Sequence, residues 1–317
     1  MVKETAGAAA RPPKGALSVK WKRTVYDFKQ NKDCYLYIAP FFIIFFLFTV
    51  LPVLISIFYG FTYYNVLQPP KFIGLQNYIN LFANDDIFLI ALKNTIIISV
   101  FTGPIGYLLS LIFAWFISEL SPKMRAFMVT VLYAPSLSGN ALMIWTVLFS
   151  GDSYGYLNSF LIRYGISTSP VQFFSDPNYM MTILIIIMIW MSMGTGFLGF
   201  VAGFQTIDRT QYEAGYVEGI RNRWQELWFI TLPAIKPQML FGAVMSITGS
   251  FGVGGIANTL FGNPSTDYAT WTIVNHLEDY GGARFEMGYA CAIATILFLI
   301  MVGANKLVQR MLSKVGT

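Results

Sequence analysis

The stretch YEAGYVEGIRNRWQELWFITLPAIKP, residues 212–237, is the most charged part of the second half of the sequence, and long apolar runs bound it on both sides. Gly219 interrupts its apolar pattern, and Pro233 and Pro237 end it because proline cannot continue a helix interior. The spacing therefore predicts two short helices in water, each attached to a membrane span. The apolar residues at helical spacing are Val217, Ile220, Trp224, Leu227 and Trp228.

Two interpretations of this segment need no partner protein. An amphipathic helix that carries two tryptophans can lie on a lipid surface. The residues Thr210-Gln211-Tyr212-Glu213 also fit a capping box, in which Glu213 would only mark the start of a helix. The residues of the segment leave both interpretations open.

The composition of the whole chain indicates a membrane protein. Of its 317 residues, 55% are hydrophobic and 12% are charged, whereas a soluble domain carries roughly twice that charge. Cys34 and Cys291 are far apart in the sequence and form no metal-binding spacing. The single histidine, His276, lies in a predicted loop, where we expect a solvated side chain. We expect no metal site and no catalytic residue.

Six apolar runs reach the length that a bilayer requires, about 20 helical residues. The first has no small-residue cleavage site after it, so we expect a retained span and not a signal peptide. The predicted fold is all-α, a polytopic membrane protein with six transmembrane helices. The predicted spans cover residues 35–60, 94–118, 126–149, 179–204, 238–257 and 287–306.

The positions of lysine and arginine predict that both termini are cytoplasmic. With the N-terminus inside, the inner segments hold 17 of the 21 basic residues and the outer segments hold the other 4, as the positive-inside rule requires. This orientation also places residues 212–237 in the cytoplasm. All acidic residues fall in tails, loops or span ends, which argues against an ion-coupled transporter, because such proteins keep ionisable groups in the membrane.

The chain is predicted to have four parts and no ATPase site. It lacks the G-x-x-x-x-G-K-[ST] phosphate loop, so any ATP hydrolysis would belong to a partner. The parts are a basic cytoplasmic tail (1–34), a first span with an outer loop (35–93), a five-span core that includes a cytoplasmic loop at 205–237 (94–310), and a cytoplasmic end (311–317).

The charged segment matches a known loop at several positions. Glu213-Ala214-Gly215, Gly219, Ile230-Thr231-Leu232-Pro233 and Pro237 resemble the EAA loop of permease subunits in binding-protein-dependent ABC importers. In that family the loop forms a coupling helix that sits in a cleft of the ATPase subunit. The chain departs from the family pattern at Gly215, Glu218 and Asp208, where alanine, aspartate and proline are usual.

Other stretches extend this resemblance over about residues 35–310 and toward the maltose-type carbohydrate permeases. They occur in the order in which those permeases carry them. They are Phe72-Ile73-Gly74-Leu75-Gln76-Asn77-Tyr78 followed by Ala91-Leu92-Lys93-Asn94-Thr95, then Trp145 with Gly155-Tyr156-Leu157-Asn158, then Gly262-Asn263-Pro264, and last the stretch from Met287 to Thr295.

The resemblance implies two sets of functional residues. The set expected to dock the ATPase and transmit its motion is Glu213, Ala214, Gly215, Glu218, Gly219 and Pro233. The second set would line the path of an uncharged sugar, which needs hydroxyl, amide and aromatic partners, although serine and threonine in spans often bond their own helix backbone. These candidates are Asn140, Trp145, Trp190, Ser192, Thr195, Ser246, Ser250 and Asn258.

The resemblance also implies partners and a location. We expect a second homologous permease, a dimeric ABC ATPase that carries ATP and Mg²⁺, an extracytoplasmic binding protein and a carbohydrate of oligosaccharide size, in the inner membrane of a bacterium or archaeon. We expect no cofactor in this chain and no nucleic-acid partner. Two alternatives stay open on the sequence: a gradient-driven secondary transporter of an uncharged solute, and a membrane scaffold that transports nothing.

Overall fold

The computed structural model describes residues 32–313. Most of the predicted N-terminal tail and the last part of the predicted C-terminal end therefore lie outside the described residues. The described residues fall into two compact units, one that ends at Ile55 and one that begins at Ser56.

The first unit holds most of the first predicted span. Helix α1 (Lys32–Phe45) passes through a π-helical turn (Phe46–Val50) into α2 (Leu51–Tyr59), which continues into the second unit. The π turn lies just before Pro52, which has no N–H to donate to a preceding carbonyl. The apolar helix Tyr35–Tyr59 is 25 residues long, enough to cross a bilayer.

The second unit is helical apart from a short antiparallel hairpin, β1 (Thr62–Tyr63) with β2 (Lys71–Phe72). Further π turns cover Leu227–Thr231 and Asp279–Ala283, and a 3₁₀ turn covers Thr266–Tyr268. The helices are α3 (Gln76–Ala83), α4 (Asp86–Ser118), α5 (Pro122–Leu137), α6 (Leu142–Leu148), α7 (Tyr156–Arg163), α8 (Pro177–Trp190), α9 (Thr195–Gln205), α10 (Arg209–Val217), α11 (Arg223–Glu226), α12 (Leu232–Ala234), α13 (Lys236–Phe251), α14 (Gly254–Phe261), α15 (Ile273–Glu278) and α16 (Met287–Leu312).

The predicted spans are present, but only some are straight. Among the described residues, four helices are long and apolar enough to cross a membrane, and the number rises to six if each bent pair counts as one span. The third predicted span is such a pair, α5 and α6, bent by 83° at a Ser-Gly-Asn sequence that favours a turn. The second begins earlier than predicted, at Asp86, because Asp85 caps α4 by accepting a hydrogen bond from the backbone N–H of Phe88.

Helix α4 is the central element of the second unit. Its 33 residues extend about 50 Å at about 1.5 Å per residue, and it packs against α8, α9, α13 and α15. Three buried apolar clusters follow one another along it. They contain Phe88 with Trp271 and Ile273, Ile98 with Met180 and Leu184, and Trp115 with Phe197 and Phe200.

Two residues of the Ala91–Thr95 motif fasten the loop before the last span onto α4. The amide of Asn94 donates hydrogen bonds to the carbonyl oxygens of Tyr268 (2.9 Å) and Trp271 (3.0 Å). The Thr95 hydroxyl accepts a hydrogen bond from the backbone N–H of Ile273 at 2.9 Å. The motif therefore satisfies backbone groups that the loop would otherwise bury without partners.

His276 is buried, so the expectation of a solvated side chain is wrong. Only 2% of the residue is exposed. Its Nε2 lies 3.0 Å from Oδ2 of Asp85, the Tyr289 hydroxyl donates to the same oxygen at 2.8 Å, and the Trp271 indole N–H points at Nδ1 at 3.5 Å. These contacts join the start of α4, the loop helix α15 and the start of α16 at the end of the molecule remote from residues 212–237.

The contacts of His276 fix its protonation state. Burial lowers the pKa of His276 and outweighs the attraction of Asp85, which would raise it. A neutral ring accepts from Trp271 at Nδ1 and donates to Asp85 from Nε2. Burial alone would raise the pKa of Asp85, but hydrogen bonds from the Phe88 backbone, Tyr289 and His276 lower it overall. The pair therefore contains a carboxylate and a neutral imidazole at neutral pH.

We expect the stability of this end of the protein to fall as the pH drops below about 6.5, the usual pKa of histidine. Because the pKa of His276 is lower in the folded chain, the unfolded chain binds more protons in that range, and acidification favours unfolding. The lowered pKa of Asp85 also makes the stability depend on pH, but only at pH values below this range. Thermal unfolding in detergent, followed from about pH 7.5 to about pH 5.5, measures the effect.

The variant His276→Gln is the control for this experiment. Glutamine can still donate to Asp85 but does not titrate. His276 is the single histidine of the chain. The thermal stability of the variant should therefore differ much less between these pH values than that of the parent. A variant with the same pH dependence as the parent would show that the histidine is not responsible.

Candidate functional site

The first half of the charged segment is α10, and its cap differs from the predicted one. The Asp208 carboxylate accepts a hydrogen bond from the backbone N–H of Thr210 at 3.0 Å, and this bond lowers the pKa of Asp208. Thr210 lies inside the helix, so the predicted capping box from Thr210 to Glu213 is wrong. Glu213 is exposed and is not needed to start the helix.

The helix α10 ends at Gly219 in a Schellman motif. The N–H of Ile220 donates to the carbonyl of Gly215 at 2.9 Å, and the N–H of Gly219 donates to the carbonyl of Tyr216 at 3.2 Å. Gly219 has φ +99°, a conformation that side chains disfavour. Beyond its two chain neighbours, no described residue has an atom within 4 Å of where the Cβ of residue 219 would be. The conformation of the backbone, and not packing within this chain, therefore requires glycine here.

A buried carboxylate joins the two halves of the segment. Glu226 is 4% exposed, and it accepts hydrogen bonds from the Tyr216 hydroxyl and from the Arg223 guanidinium, the latter at 2.9 Å. The hydroxyls of Tyr212 and Thr231 form a second bridge of 3.0 Å. A buried charge is costly unless it is paired, and here both oxygens have partners. We call residues 208–235, fastened in this way, the coupling segment.

The coupling segment presents a groove of about 570 Å³ on its surface. Of the six residues predicted to dock an ATPase, four line this groove: Ala214, Gly215, Glu218 and Pro233. Glu213 and Gly219 lie beside it in the same helix and turn. A Cβ on Gly215 would lie 2.6 Å from the end of the Ile230 side chain, so glycine allows the two halves to meet closely.

The end of the coupling segment turns sharply into a span. The helical stretch Arg223–Ala234 meets Lys236–Phe251 at 82°. Pro233 and Pro237 flank this corner, and proline lacks the N–H that a continuous helix requires. The corner therefore turns the chain steeply from the segment into α13.

A largely apolar cavity that also carries several hydroxyl groups lies where the fourth predicted span is interrupted. Helix α8 ends at Trp190 and α9 starts at Thr195, and the intervening Ser192 and Gly194 are poor helix formers. The cavity has a volume of about 210 Å³. Its lining comes from α4, α8, the interruption, α9 and α13: Thr102, Tyr107, Ser110, Met188, Met191, Ser192, Gly194, Thr195, Gly196, Phe200, Gly242, Met245, Ser246, Gly249 and Ser250.

Two hydroxyl groups at this cavity have no hydrogen-bond partner among the described residues. They are the Tyr107 hydroxyl and the Ser192 Oγ, and both are buried. The hydroxyls of Ser246 and Ser250 instead donate to the carbonyls of Gly103 and Ile247, each at 2.8 Å. Buried hydroxyls normally find partners, so Tyr107 and Ser192 stand out as unpaired polar groups of this cavity wall.

The structure divides the eight residues predicted to line the substrate path. Ser192, Thr195, Ser246 and Ser250 lie together on the cavity wall. Asn140 is exposed at the bend between α5 and α6. Trp145 and Trp190 form a T-shaped pair with ring centroids 5.4 Å apart, and Asn258 accepts a hydrogen bond from the Asn275 amide. These last four residues do not line the cavity, and the role of all eight stays a prediction.

Sequence reasoning missed the contribution of α4. Thr102, Tyr107 and Ser110 line the cavity, but the resemblance directs attention to the later spans. The three polar side chains occur within nine residues of an otherwise apolar run. Their position in the middle of a span was the sequence signal for this site, because polar side chains inside a membrane are costly and usually functional.

We expect Gly106→Ala to destabilise the cavity wall and Gly249→Ala to be tolerated. A Cβ at Gly106 would lie 2.6 Å from Cβ of Ser192, so α4 and the interruption would have to separate, whereas a Cβ at Gly249 meets nothing within 4 Å. Overpacking costs about 1–3 kcal/mol. Thermal unfolding in detergent measures the difference between the two variants. Equal midpoints would show that this close approach contributes nothing to stability.

Comparisons with known proteins agree with this architecture. The family described as binding-protein-dependent transport system inner membrane component matches residues 104–313. The chain is 32% identical over 304 residues to the probable ABC transporter permease protein YesP of Bacillus subtilis (strain 168), covering 93% of this chain and 94% of that protein. It is 29% identical over 296 residues to the arabinooligosaccharides transport system permease protein AraP of the same organism, covering 92% and 91%.

A solved structure also resembles this chain. It is a bacterial alginate ABC transporter in complex with an alginate pentasaccharide-bound periplasmic protein. The TM-score is 0.69 at 26% sequence identity, over 92% of this chain and 99% of that one. The similarity confirms the helical, membrane-spanning fold predicted from the sequence.

Proposed function

Because the chain belongs to the family of binding-protein-dependent transport system inner membrane components, we propose that it is the permease subunit of an ATP-driven importer for carbohydrate. In this proposal a second, homologous permease completes the path through the membrane. Two separate ATPase subunits bind ATP and Mg²⁺ at the cytoplasmic face. An extracytoplasmic binding protein delivers the sugar, an oligosaccharide.

The coupling segment is the observation that carries the proposal. It is a polar hairpin, fastened internally by Glu226, that exposes a groove lined by residues expected to contact an ATPase. A concave groove of this size fits a protruding element of another protein better than it fits a flat lipid surface. A secondary transporter has no need of such a segment.

The size of the cavity supports a second permease. Its volume of about 210 Å³ is below the roughly 300–1,000 Å³ that is usual for small-molecule sites. A cavity that holds several sugar rings therefore needs a second wall. A homologous subunit opposite this one supplies that wall.

The lining of the cavity favours an uncharged solute. Among the described residues that line it, hydroxyl, aromatic and apolar side chains occur, and none is charged. Sugar hydroxyls both donate and accept hydrogen bonds, as do Tyr107 and Ser192. An acidic sugar would need a cation inside the membrane, which the described lining of this cavity does not offer. We therefore place a neutral oligosaccharide before a uronate polymer such as alginate.

The proposed mechanism follows from these two sites. ATP binding closes the ATPase dimer and moves the coupling segment as a rigid body. The corner at Pro233 and Pro237 passes this movement to α13, and the spans rock so that the cavity opens to the other side. Glu213 docks against the ATPase, and Gly219 provides the turn that brings the two helices of the segment together.

Reconstituted transport tests the proposal. The complete transporter, with its partner permease, ATPase and binding protein, is placed in proteoliposomes, and uptake of radiolabelled arabino-oligosaccharides is compared with uptake of alginate pentasaccharide. We expect uptake of the neutral sugar only when ATP is supplied on the ATPase side. Uptake by this chain alone under an ion gradient would contradict the proposal and support a secondary transporter. A preference for alginate would overturn only the assignment of a neutral solute.

We expect Gly219→Asp to insert into the membrane normally and to uncouple transport from ATP hydrolysis. The residue has φ +99°, so a side chain forces the turn to rearrange at a cost of about 1 kcal/mol or more. The ratio of sugar imported to ATP hydrolysed measures the effect. Val217→Asp is the matched control, because it adds the same charge two residues away in an ordinary helix. Normal coupling in Gly219→Asp would count against the assigned role of the turn.

A further inference from the structure

The coupling segment touches the membrane domain at a point that is distant in the sequence. The chain itself connects the segment to α9 on one side and to α13 on the other. In addition, the guanidinium Nε of Arg223 lies 3.6 Å from Oε1 of Glu119, at the end of α4. The rings of Trp224 and Trp115 are 5.1 Å apart between centroids, at an interplanar angle of 57°.

The two contacts form one attachment. Trp115 and Glu119 are four residues apart, so they lie on the same face at the end of α4. Arg223 and Trp224 are neighbours at the start of α11. An aromatic contact and an ion pair thus act side by side between the same two elements.

The two contacts differ in what they contribute. The side chains of Arg223 and Glu119 are 61% and 44% exposed, and an exposed ion pair by itself contributes little. Arg223 is held in place, however, by the buried carboxylate of Glu226. Trp115 is buried, so its contact with Trp224 supplies packing, while the ion pair fixes the direction of approach.

Helix α4 leads from this attachment directly to the cavity. Tyr107 and Ser110, which line the cavity, are within 12 residues of Glu119, or about 18 Å along a helix. Gly106, on the same helix, lies against Ser192 at the interruption of the fourth span. A movement of the end of α4 therefore reaches the cavity wall without passing through α13.

We propose that Trp115 and Glu119 form a second transmission point, at which Trp224 and Arg223 pass the movement of the coupling segment into α4 and so to the cavity wall. These are positioning residues for the transport cycle, and the inference rests on the proposed function. Motion enters the membrane domain at two places, the proline corner before α13 and the inner end of α4. Because the segment is attached to both α4 and α13, a displacement of the segment moves these two parts of the cavity wall relative to each other.

A labelling experiment tests this inference without knowledge of the solute. The complete transporter, with Cys34 and Cys291 replaced by serine and Thr195→Cys as a reporter in the cavity, is reconstituted in proteoliposomes. The rate at which a membrane-impermeant maleimide labels the reporter is measured with and without ATP and Mg²⁺. The rate of ATP hydrolysis is measured in the same preparation.

We expect Glu119→Gln and Trp224→Ala together to reduce the ATP-driven change in labelling by roughly two- to thirty-fold relative to the ATP hydrolysed. Glu119→Asp, made in a chain that retains Trp224, keeps the carboxylate at position 119. Most of the ATP-driven change in labelling should therefore be present in that variant. Lys123→Gln removes a charge from the same surface and should have no effect, since Lys123 forms no ion pair within residues 32–313.

The outcomes separate this inference from the proposed function. If ATP alters labelling in the parent and equally in the double variant, α4 receives no motion from the segment and the inference is wrong. If ATP does not alter labelling even in the parent, the proposed function itself fails. If the Glu119→Asp variant loses the ATP-driven change in labelling as fully as the double variant, the charge at position 119 has no role and the assignment of the ion pair is wrong.

Discussion

The structure of the coupling segment depends on one buried carboxylate. Glu226 lies between the two helices of the segment and bonds to Tyr216 of the first and Arg223 of the second. Such a group is stable only while both partners stay in place. The two helices are therefore held as one body, and the same Arg223 reaches the end of α4. Without these bonds the two helices would lose their main polar connection, and the proposed transmission of movement would weaken.

The membrane imposes the second constraint, because backbone polar groups in lipid must be satisfied within the protein. An unbroken helix meets this condition, and α4 does so over 33 residues. The fourth span is broken between Trp190 and Thr195, which is tolerated where the break lines a cavity. Interrupted membrane helices of transporters commonly mark solute sites. The long unbroken helix and the interrupted one meet at Gly106 and Ser192, where α4 and the interruption form adjoining parts of the cavity wall.

Sequence patterns predicted what depends on local chemistry and missed what depends on distant contacts. Apolar run length located the spans, and Gly219 with its following prolines predicted the shape of the segment. The cap at Asp208 was misassigned because Asp208 and Thr210 are both good capping residues and only geometry decides between them. The burial of His276 could not be foreseen, since its partners Asp85 and Tyr289 are remote in sequence. The same holds for the contribution of α4 to the cavity.

The central claim is that the coupling segment moves as one rigid body against an ATPase. The most direct test places spin labels at Gln211 and Trp228, one in each half of the segment, within the complete transporter that lacks other reactive cysteines. The distance between the labels is measured with ADP and with a non-hydrolysable ATP analogue, and a third label on the ATPase reports contact. We expect an unchanged distance within the segment and close contact with the ATPase in both states. A distance that changes with the nucleotide, or a segment that never approaches the ATPase, would contradict it.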